Sequence, residues 1–357
     1  MNLAGQVKQA ALDAGFELAG IASVEPSSDY ARYREWIASG MAGEMTYLTD
    51  CRSILREDPR NLLPGAKSIL CVGKLYNSSY PYSTRFHDDE RAWISRYAWG
   101  RDYHDILHNG LLEVVARLRE FSGENFEWRI CVDTAPLLER SYARLAGLGW
   151  IGKNTCLISE RHGSWFFLGE LLLSLDLVPD SPPPNRCGTC RRCIDACPTR
   201  AFTQNADGSW ALDSRNCISY LTIEKRGAIA TDLHPGLGHH VFGCDICQDV
   251  CPWNRREHFS AVEEFAPRAF APRLAELARL TEDEFRAMFR NTPVWRTKYR
   301  GFIRNVAIAM GNSGQPGFLE PLQRLAASGD QVVAEAAAQA ISRLETSAAH
   351  ADICSTD

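Results

Sequence analysis

A run of four cysteines carries the strongest chemical signal in this chain of 357 residues. The run is Cys187-x2-Cys190-x2-Cys193-x3-Cys197, and Pro198 follows its last cysteine directly. This is the bacterial iron-sulfur spacing, in which three thiolates bind one 4Fe-4S cluster and the fourth binds a second cluster. The run therefore predicts two clusters, and further ligands must lie elsewhere in the chain.

The further ligands are found downstream. A second run, Cys244-x2-Cys247-x3-Cys251, again ends before a proline, and Cys217 is the single thiol between the two runs. If the last cysteine of each run crosses to the other cluster, the eight thiolates divide into two sets. The first set is Cys187, Cys190, Cys193 and Cys251, and the second is Cys197, Cys217, Cys244 and Cys247. Disulfides and zinc are the alternatives, but such tight spacings fit neither a disulfide framework nor a four-ligand zinc site.

One acidic residue stands where a buried strand is predicted to end. The apolar segment Arg129–Val132 has strand character and stops at Asp133. In open α/β sheets, ligands bind at the carboxyl ends of strands, so Asp133 is a candidate functional acid. Its alternative role is a helix N-cap, since Asp favours that position and Pro136 could open a following helix. The two roles are compatible.

Two sequence motifs bear on the cofactor of this region. No G-x-G-x-x-G follows a predicted strand, so this signature gives no support for a nicotinamide or flavin dinucleotide. The cobalamin-binding pattern D-x-H-x-x-G is begun by Asp102 and His104, but Leu107 stands where glycine is required. We therefore expect His104 to be a hydrogen-bonding pocket or surface residue and not a cobalt ligand.

A basic segment near the C terminus predicts a nucleic-acid surface. Residues 286–319 contain six basic side chains and no acidic one, with four aromatic residues interleaved. This combination joins phosphate neutralisation to base stacking. The alternative is an arginine-rich chain whose aromatic residues belong to a helical core. Lys225 and Arg226 could extend the surface. The six basic residues are Arg286, Arg290, Arg296, Lys298, Arg300 and Arg304.

The overall composition indicates a cytoplasmic globular protein. Hydrophobic residues make up 45% of the chain, and the formal net charge is -5, so a polyanionic partner has to meet a local basic patch. The other five cysteines are scattered, and no charged-then-apolar leader follows Met1, which favours the reducing cytosol. The most apolar segment, Trp165–Val178, is interrupted by Glu170 and Asp176 and is too short to span a bilayer.

Hydrophobic periodicity divides the chain into three parts. Over residues 1–178, strands and helices alternate, which indicates an α/β or α+β domain. A proline-rich linker then opens the cluster module of residues 179–256. Residues 257–345 are predicted to be helical, with a last helix pair that resembles a HEAT-type unit, and residues 346–357 to be disordered. The predicted strands are Phe16–Ala22, Ala66–Leu75, Arg129–Val132 and Phe166–Leu175.

Several segments together resemble the epoxyqueuosine reductase family. They are Asp133-Thr-Ala-Pro-Leu-Leu-Glu-Arg140, Gly149-Trp-Ile-Gly-Lys-Asn-Thr155, the two cysteine runs, Cys217-Ile-Ser-Tyr-Leu-Thr-Ile-Glu224 and Arg304-Asn305. The resemblance extends from the strand at Ser68 to the terminal helix pair. It implies an α+β fold with a nitroreductase-like cobalamin domain, a ferredoxin-like domain with two 4Fe-4S clusters, and a C-terminal all-α HEAT-like repeat. The incomplete cobalt-ligand motif agrees with base-off cobalamin.

The resemblance also implies a reaction, which is removal of the epoxide oxygen from epoxyqueuosine at the tRNA wobble position. Asp133 falls on the family's proton donor, and to act as an acid near neutral pH its pKa has to rise from about 3.9. The implied cobalamin pocket consists of Arg56, Tyr97, Asp133, Lys153 and Asn154, with salt bridges or helix capping as the alternative roles. The expected tRNA contacts are Lys225, Arg226, Arg296, Lys298, Arg300 and Arg304. An external flavodoxin- or ferredoxin-type donor would supply electrons to a monomer.

Two other functions share some of these features. A corrinoid reductase acting on a small molecule, as in reductive dehalogenases, would also use cobalamin and two clusters. The basic C-terminal segment would be superfluous for a small substrate and so favours tRNA. A pure electron carrier is the third possibility, and it would not need Asp133 at the end of a strand.

Overall fold

Strands and helices alternate along the first 180 residues, and helices dominate the rest of the chain. The computed structural model describes residues 2–123, 125–255 and 258–354. The strands are β1 (Leu18–Ser23), β2 (Ser68–Leu75), β3 (Trp93–Ile94), β4 (Trp128–Cys131), β5 (Trp150–Ile151), β6 (Leu157–Ile158), β7 (Phe166–Leu173), β8 (Phe202–Gln204), β9 (Trp210–Leu212) and β10 (His240–Phe242). The helices are α1 (Leu3–Asp13), α2 (Asp29–Ala38), α3 (Thr46–Thr49), α4 (Tyr103–Phe121), α5 (Glu139–Leu145), α6 (Arg192–Asp195), α7 (Ile218–Ile223), α8 (His234–Leu237), α9 (Ile246–Asp249), α10 (Leu274–Leu277), α11 (Glu282–Phe289), α12 (Lys298–Asn312), α13 (Leu319–Ala326) and α14 (Gln331–Cys354).

A four-stranded antiparallel sheet in the order β1-β2-β7-β4 organises the N-terminal part. The central strands β2 and β7 are buried along almost their whole length, because helices cover both faces of the sheet. α1 and α4 pack on one face and α5 on the other. The four predicted strands are present with ends shifted by about two residues or less. Their antiparallel pairing gives an α+β arrangement and not an open parallel α/β sheet.

Local sequence fixes where the elements around Asp133 begin and end. Asp102 caps α4, and its carboxylate accepts a hydrogen bond from the His104 backbone N–H at 3.1 Å. The apolar stripe of α4, which includes Leu107 and Leu111, holds the helix against the sheet. β4 ends at Cys131 and α5 begins at Glu139. The loop of residues 132–138 between them, here called the Asp133 loop, lies beside the start of α4.

The cysteine module consists of short helices and small two-stranded ladders. It joins the N-terminal part through parallel pairing of β10 with β3. Asp245, which follows Cys244, is buried and accepts hydrogen bonds from the Trp93 indole at 3.1 Å and the Arg96 backbone N–H at 2.8 Å. These contacts fix the second cysteine run relative to the N-terminal part.

The C-terminal helices share one hydrophobic core with the cysteine module. α12 lies at the centre of this core, and its residues 301–311 are all buried. Packing is therefore continuous across residue 256, where the sequence suggests a domain boundary. α14 continues to Cys354, so helix covers most of the segment after residue 345 that is predicted to be disordered, and residues 355–357 lie outside the described residues. Within the described part of the chain, no helix has the length and apolar character needed to cross a membrane.

Candidate active site and cluster module

The structure brings the first cysteine set together. Cys187, Cys190, Cys193 and Cys251 line a single cavity, although Cys251 is more than fifty residues downstream of the other three. Trp253 also lines this cavity and packs edge-on against Trp150 at 4.9 Å between ring centroids. Large apolar side chains therefore shield one side of the first set.

The cysteines of the second set are half-buried and interact with one another. The thiols of Cys197, Cys217 and Cys244 are close enough to influence one another electrostatically, and Cys247 interacts in the same way with Cys217 and Cys244. In the described residues, no three His, Cys, Asp or Glu side chains are close enough to hold a single metal ion. Two clusters, in which each thiolate binds a different iron, fit these donors better than mononuclear zinc does.

A ninth thiol lies between the two sets. Cys156 is hydrogen-bonded to Cys247 and is close enough to Cys217 and Cys251 to interact with both. In the sequence Cys156 is one of the scattered cysteines, and its spacing gives no sign of this position.

Two residues predicted for the cobalamin pocket instead support the cysteine loops. The Lys153 ammonium donates hydrogen bonds to the carbonyl oxygens of Gly188 at 2.7 Å and Cys190 at 2.9 Å. The Asn154 amide donates to the Cys247 carbonyl at 3.3 Å. Their side chains therefore fix the cluster loops, and their part in a cobalamin pocket stays a prediction. Arg56 is also placed differently: it is buried over the Tyr33 ring and donates to the Arg52 carbonyl.

Asp133 lies at the end of β4, as predicted, in an unusual backbone conformation. Its φ is +52°, in the left-handed region that few residues other than glycine adopt, although Asp tolerates it better than most. The turn places the carboxylate in an open cleft, where the side chain is 43% exposed. The N-cap role does not apply, because α5 begins only at Glu139 and its N-cap residue is Leu138.

His104 connects Asp133 to a second carboxylate. Its Nδ1 lies 2.6 Å from an Asp102 oxygen and its Nε2 lies 3.3 Å from an Asp133 oxygen. Burial alone would lower the pKa of His104, but the hydrogen bonds to Asp102 and Asp133 outweigh burial and raise it to about 9. His104 is thus an imidazolium at neutral pH. Both ring nitrogens are engaged, so His104 is not free to bind cobalt.

The same contact reverses the expected pKa shift of Asp133. Burial is the largest single effect and raises the pKa of this carboxyl group, but the hydrogen bond from His104 and the charges of His104 and Arg296 together outweigh it, and the pKa is lowered. The proton shared by the pair therefore resides mainly on His104 in this structure. The raised pKa predicted for Asp133 applies to a site covered by cofactor and substrate and stays a prediction. In the protein alone, the cationic neighbour His104 holds this pKa below its usual value.

Further polar residues surround the cleft. Tyr97, predicted for the cobalamin pocket, packs on Tyr103 and Phe242 and interacts electrostatically with Asp133. Burial and the Asp133 charge raise its pKa. Arg296 donates to Glu224 at 2.6 Å, lies over the Tyr47 ring and also influences Asp133. Arg296 therefore belongs to the rim of the cleft more than to an outer surface.

The predicted tRNA contacts have different environments. Lys298 and Arg300 are exposed, with Lys298 over the Trp295 ring and Arg300 paired with Asp330. Arg226 is exposed and donates to the carbonyls of Arg296 and Thr297. Lys225 forms an ion pair with Glu44.

Arg304 is not available to phosphate. It is fully buried, and its guanidinium donates to the carbonyls of Leu221, Lys225 and Gly227 at 2.6–2.7 Å. Asn305 beside it donates to the carbonyls of Thr222 and Val241 at 2.8 Å. Arg304 is a structural residue that anchors the segment after Cys217, which corrects its predicted place in the tRNA surface.

Family models match two parts of the chain. The model described as "Epoxyqueuosine reductase QueG, DUF1730" matches residues 56–134, and the 4Fe-4S double cluster binding domain matches residues 186–254. The second match contains all eight cysteines of the two sets.

Three solved structures have the same fold. An epoxyqueuosine reductase crystallised with a tRNA-Tyr epoxyqueuosine-modified stem loop is 27% identical with a TM-score of 0.84, over 95% of this chain and 89% of that one. The Streptococcus thermophilus enzyme is 25% identical with a TM-score of 0.85, over 99% and 100%. A Bacillus subtilis structure, described with the catalytic aspartate loop swung out of the active site, is 26% identical with a TM-score of 0.84, over 95% and 90%.

Curated relatives are more similar in sequence. The epoxyqueuosine reductase of Xanthomonas campestris is 40% identical over 329 residues, which cover 91% of this chain and 90% of the relative. That of Gloeobacter violaceus is 42% identical over 323 residues, which cover 87% and 97%. Identity at this level over nearly the whole of each chain shows common descent with a shared fold. The chain belongs to the epoxyqueuosine reductase family.

Proposed function

We propose that this chain removes the epoxide oxygen of epoxyqueuosine in tRNA, with Asp133 and His104 supplying protons and two 4Fe-4S clusters supplying electrons. Opening an epoxide to an alkene and water consumes two electrons and two protons. The observation that carries the proposal is the Asp102–His104–Asp133 chain, which stores a proton in an open cleft beside a two-cluster module. A pure electron carrier has no use for such a proton store.

The ligands of the clusters are assigned by the crossing pattern. Cys187, Cys190, Cys193 and Cys251 bind the first cluster, and their shared cavity supports this set. Cys197, Cys217, Cys244 and Cys247 bind the second, and their mutual electrostatic contacts support that set. The second cluster is the one nearer to Asp133, because Tyr97 contacts both Phe242, just before Cys244, and the Asp133 cleft.

Electrons enter at the first cluster. Its loop is the more exposed one, and Arg186, Arg191 and Arg192 are all exposed around it. Arg186 and Arg192 line the cavity of the first set together with Lys153. In a chain of net charge -5, this local positive charge favours docking of an acidic single-electron donor of the flavodoxin or ferredoxin type.

The cleft residues fit a cobalamin that lacks a histidine ligand. Both nitrogens of His104 are hydrogen-bonded to carboxylates, and Tyr97 presents a half-buried aromatic side chain beside Asp133. Tyr97 and Asp133 would hold the cofactor and its substrate at this cleft. Bound cobalamin supplies a strongly reducing, nucleophilic cobalt, and the protein's own groups bind, orient and protonate.

The protein's part in the chemistry is proton transfer. As substrate and cofactor cover the cleft, water leaves Asp133, and desolvation favours the neutral carboxyl. The proton then moves from His104 Nε2 to the Asp133 oxygen that faces it, and Asp133 delivers it to the departing epoxide oxygen. Solvent reprotonates His104, and the pair delivers the second proton by the same route, so that the oxygen leaves as water. Asp102 holds His104 in this orientation and stabilises the imidazolium between turnovers.

The exposed cations Arg226, Lys298 and Arg300 form the tRNA surface, with Lys225 at its edge and Arg296 reaching into the cleft. Behind this surface, α12 to α14 act as a HEAT-like unit. This unit belongs to the last of three proposed domains, which are residues 1–178, 179–256 and 257–345. Since the substrate is tRNA, we propose that the enzyme works in the cytoplasm, as a monomer.

The decisive experiment is mass spectrometry of nucleosides from epoxide-bearing tRNA. The protein is reconstituted anaerobically with iron, sulfide and cobalamin, and a low-potential reductant is added. We expect epoxyqueuosine to be converted to queuosine, with no conversion when cobalamin or reductant is omitted. Absence of conversion by protein that carries both clusters and cobalamin would contradict the proposal.

A further inference from the structure

Two carboxyl groups that no motif assigns lie directly beneath the Asp133 loop. Glu139, the first residue of α5, accepts a hydrogen bond from the Asp133 backbone N–H at 2.5 Å. Glu170 lies in the middle of β7, opposite Cys71 on β2 and Cys131 on β4, and is fully buried. The Glu139 and Glu170 carboxyl groups are close enough to each other to interact.

This contact requires a proton. A carboxylate accepts hydrogen bonds but donates none, so two carboxyl groups can be hydrogen-bonded only if they share a proton. Among the described residues, neither Glu170 oxygen has a hydrogen-bond partner, so a protonated Glu170 is free to donate to Glu139. Burial and the Asp133 charge raise the pKa of Glu139 to about 8, and burial raises that of Glu170 as well. The pair is therefore protonated at neutral pH.

The Asp133 loop needs such support. The +52° φ of Asp133 is strained for a residue with a Cβ, and strained backbone persists only where its surroundings hold it. The Glu139 hydrogen bond to the Asp133 N–H is the one that joins this strained residue to α5. In turn, Glu170 fixes the Glu139 side chain from the centre of the sheet.

We propose that Glu139 and Glu170, sharing one proton, form a latch that holds the Asp133 loop in the active site. Breaking the latch frees the loop to swing away, the movement for which the Bacillus subtilis structure is described. The latch makes Glu139 and Glu170 positioning residues that act through Asp133. The effect of the latch on turnover rests on the proposed role of Asp133, whereas its effect on the position of the loop does not.

A matched pair of variants tests the latch. Glu170→Gln keeps a donor toward Glu139 but cannot ionise, whereas Glu170→Leu fills the buried site and removes the donor. We expect both variants to fold, since an apolar residue of similar size is tolerated at a buried strand position. Hydrogen–deuterium exchange of residues 132–138, measured by mass spectrometry on the reconstituted protein without tRNA, reports on the loop directly.

In Glu170→Leu, the backbone amides of residues 132–138 should exchange roughly tenfold to a hundredfold faster than in the parent chain. This is the factor expected for the loss of a hydrogen bond to a charged group. Glu170→Gln should match the parent. Parental exchange in Glu170→Leu, or equally fast exchange in both variants, would overturn the latch. If exchange behaves as expected but kcat of Glu170→Leu is unchanged, the latch stands and the proposed role of Asp133 fails. A fall in kcat at unchanged KM supports both.

Discussion

The cluster module and the Asp133 cleft are two chemical centres built in opposite ways. Seven of the eight cluster cysteines lie in two short runs, each with a spacing that itself specifies the ligand geometry. The cleft is assembled from the start of α4, the end of β4, the start of α5 and the turn that carries Arg296. Ligand identity is thus encoded locally, whereas acid strength depends on neighbours that only the tertiary fold brings together.

The largest effect should come from breaking a long-range link in the cluster module, the crossing of Cys251 to the first cluster. Cys251→Ser should lower iron and acid-labile sulfide from about eight to about four per chain and abolish product formation, because one step of the electron path is removed. The remaining cluster should be the one built on Cys244. Parallel measurements on Cys244→Ser provide the matched control, and electron paramagnetic resonance distinguishes the two remaining clusters. Loss of the same cluster in both variants would refute the crossing assignment.

In the cleft, Asp133→Asn should lower product formation by roughly 10²- to 10⁴-fold, because the amide keeps the shape but delivers no proton. Cluster content and cobalamin binding should be unchanged, and both are measured by absorbance. Asn also tolerates positive φ, so the loop backbone should be maintained. Near-normal turnover by this variant would show that the proton comes from another group.

Replacing His104 should lower turnover less than replacing Asp133 does, and it should also change the pH dependence of turnover. His104→Gln should reduce turnover by about ten- to a hundredfold, since the imidazolium no longer resupplies Asp133. Because the pKa of His104 rises from 6.5 to about 9 on folding, its stabilising effect is complete below pH 6.5 and is lost as the pH rises through about 9. Turnover and denaturant midpoint of the parent chain should therefore both fall near pH 9, and His104→Gln should lack this step. A variant with the parental pH profile would exclude His104 as the proton store.

The sequence alone predicts the features that are encoded locally and misses those that depend on the tertiary fold. The strands, the cysteine sets and the position of Asp133 follow from periodicity and spacing. His104 is expected to be a hydrogen-bonding residue, but no local pattern indicates a carboxylate on each side of its ring. Glu170 is visible in the sequence as a charge within the apolar segment Trp165–Val178, yet only the fold shows that it meets Glu139.

The basic segment illustrates why charge alone is a weak guide to a surface. Of the six basic residues between 286 and 319, four are exposed, one faces the cleft and one is buried. The exposed ones are Arg286, Arg290, Lys298 and Arg300, whereas Arg296 faces the cleft and Arg304 is buried. The periodicity of α12 does not distinguish them, because this helix is surrounded by other elements on nearly all sides. Burial of Arg304 is possible because one carbonyl of α7 and two carbonyls of the segment after it satisfy its guanidinium.

The smallest effect should come from the exposed cations. The double substitution Lys298→Gln and Arg300→Gln should weaken binding of a tRNA stem loop and reduce the slope of log K against log salt by about 0.7 to 0.9 for each phosphate that is no longer neutralised. Removal of the exposed Arg300–Asp330 pair should cost about 1 kcal/mol of stability or less, so the fold is kept. Arg304→Gln is the matched control: it should leave the salt slope unchanged but destabilise the fold by on the order of 3 kcal/mol, because buried carbonyls lose their donors. If the double variant keeps the parental slope, or if Arg304→Gln changes the slope in a folded protein, the division of this segment into surface and anchor is wrong.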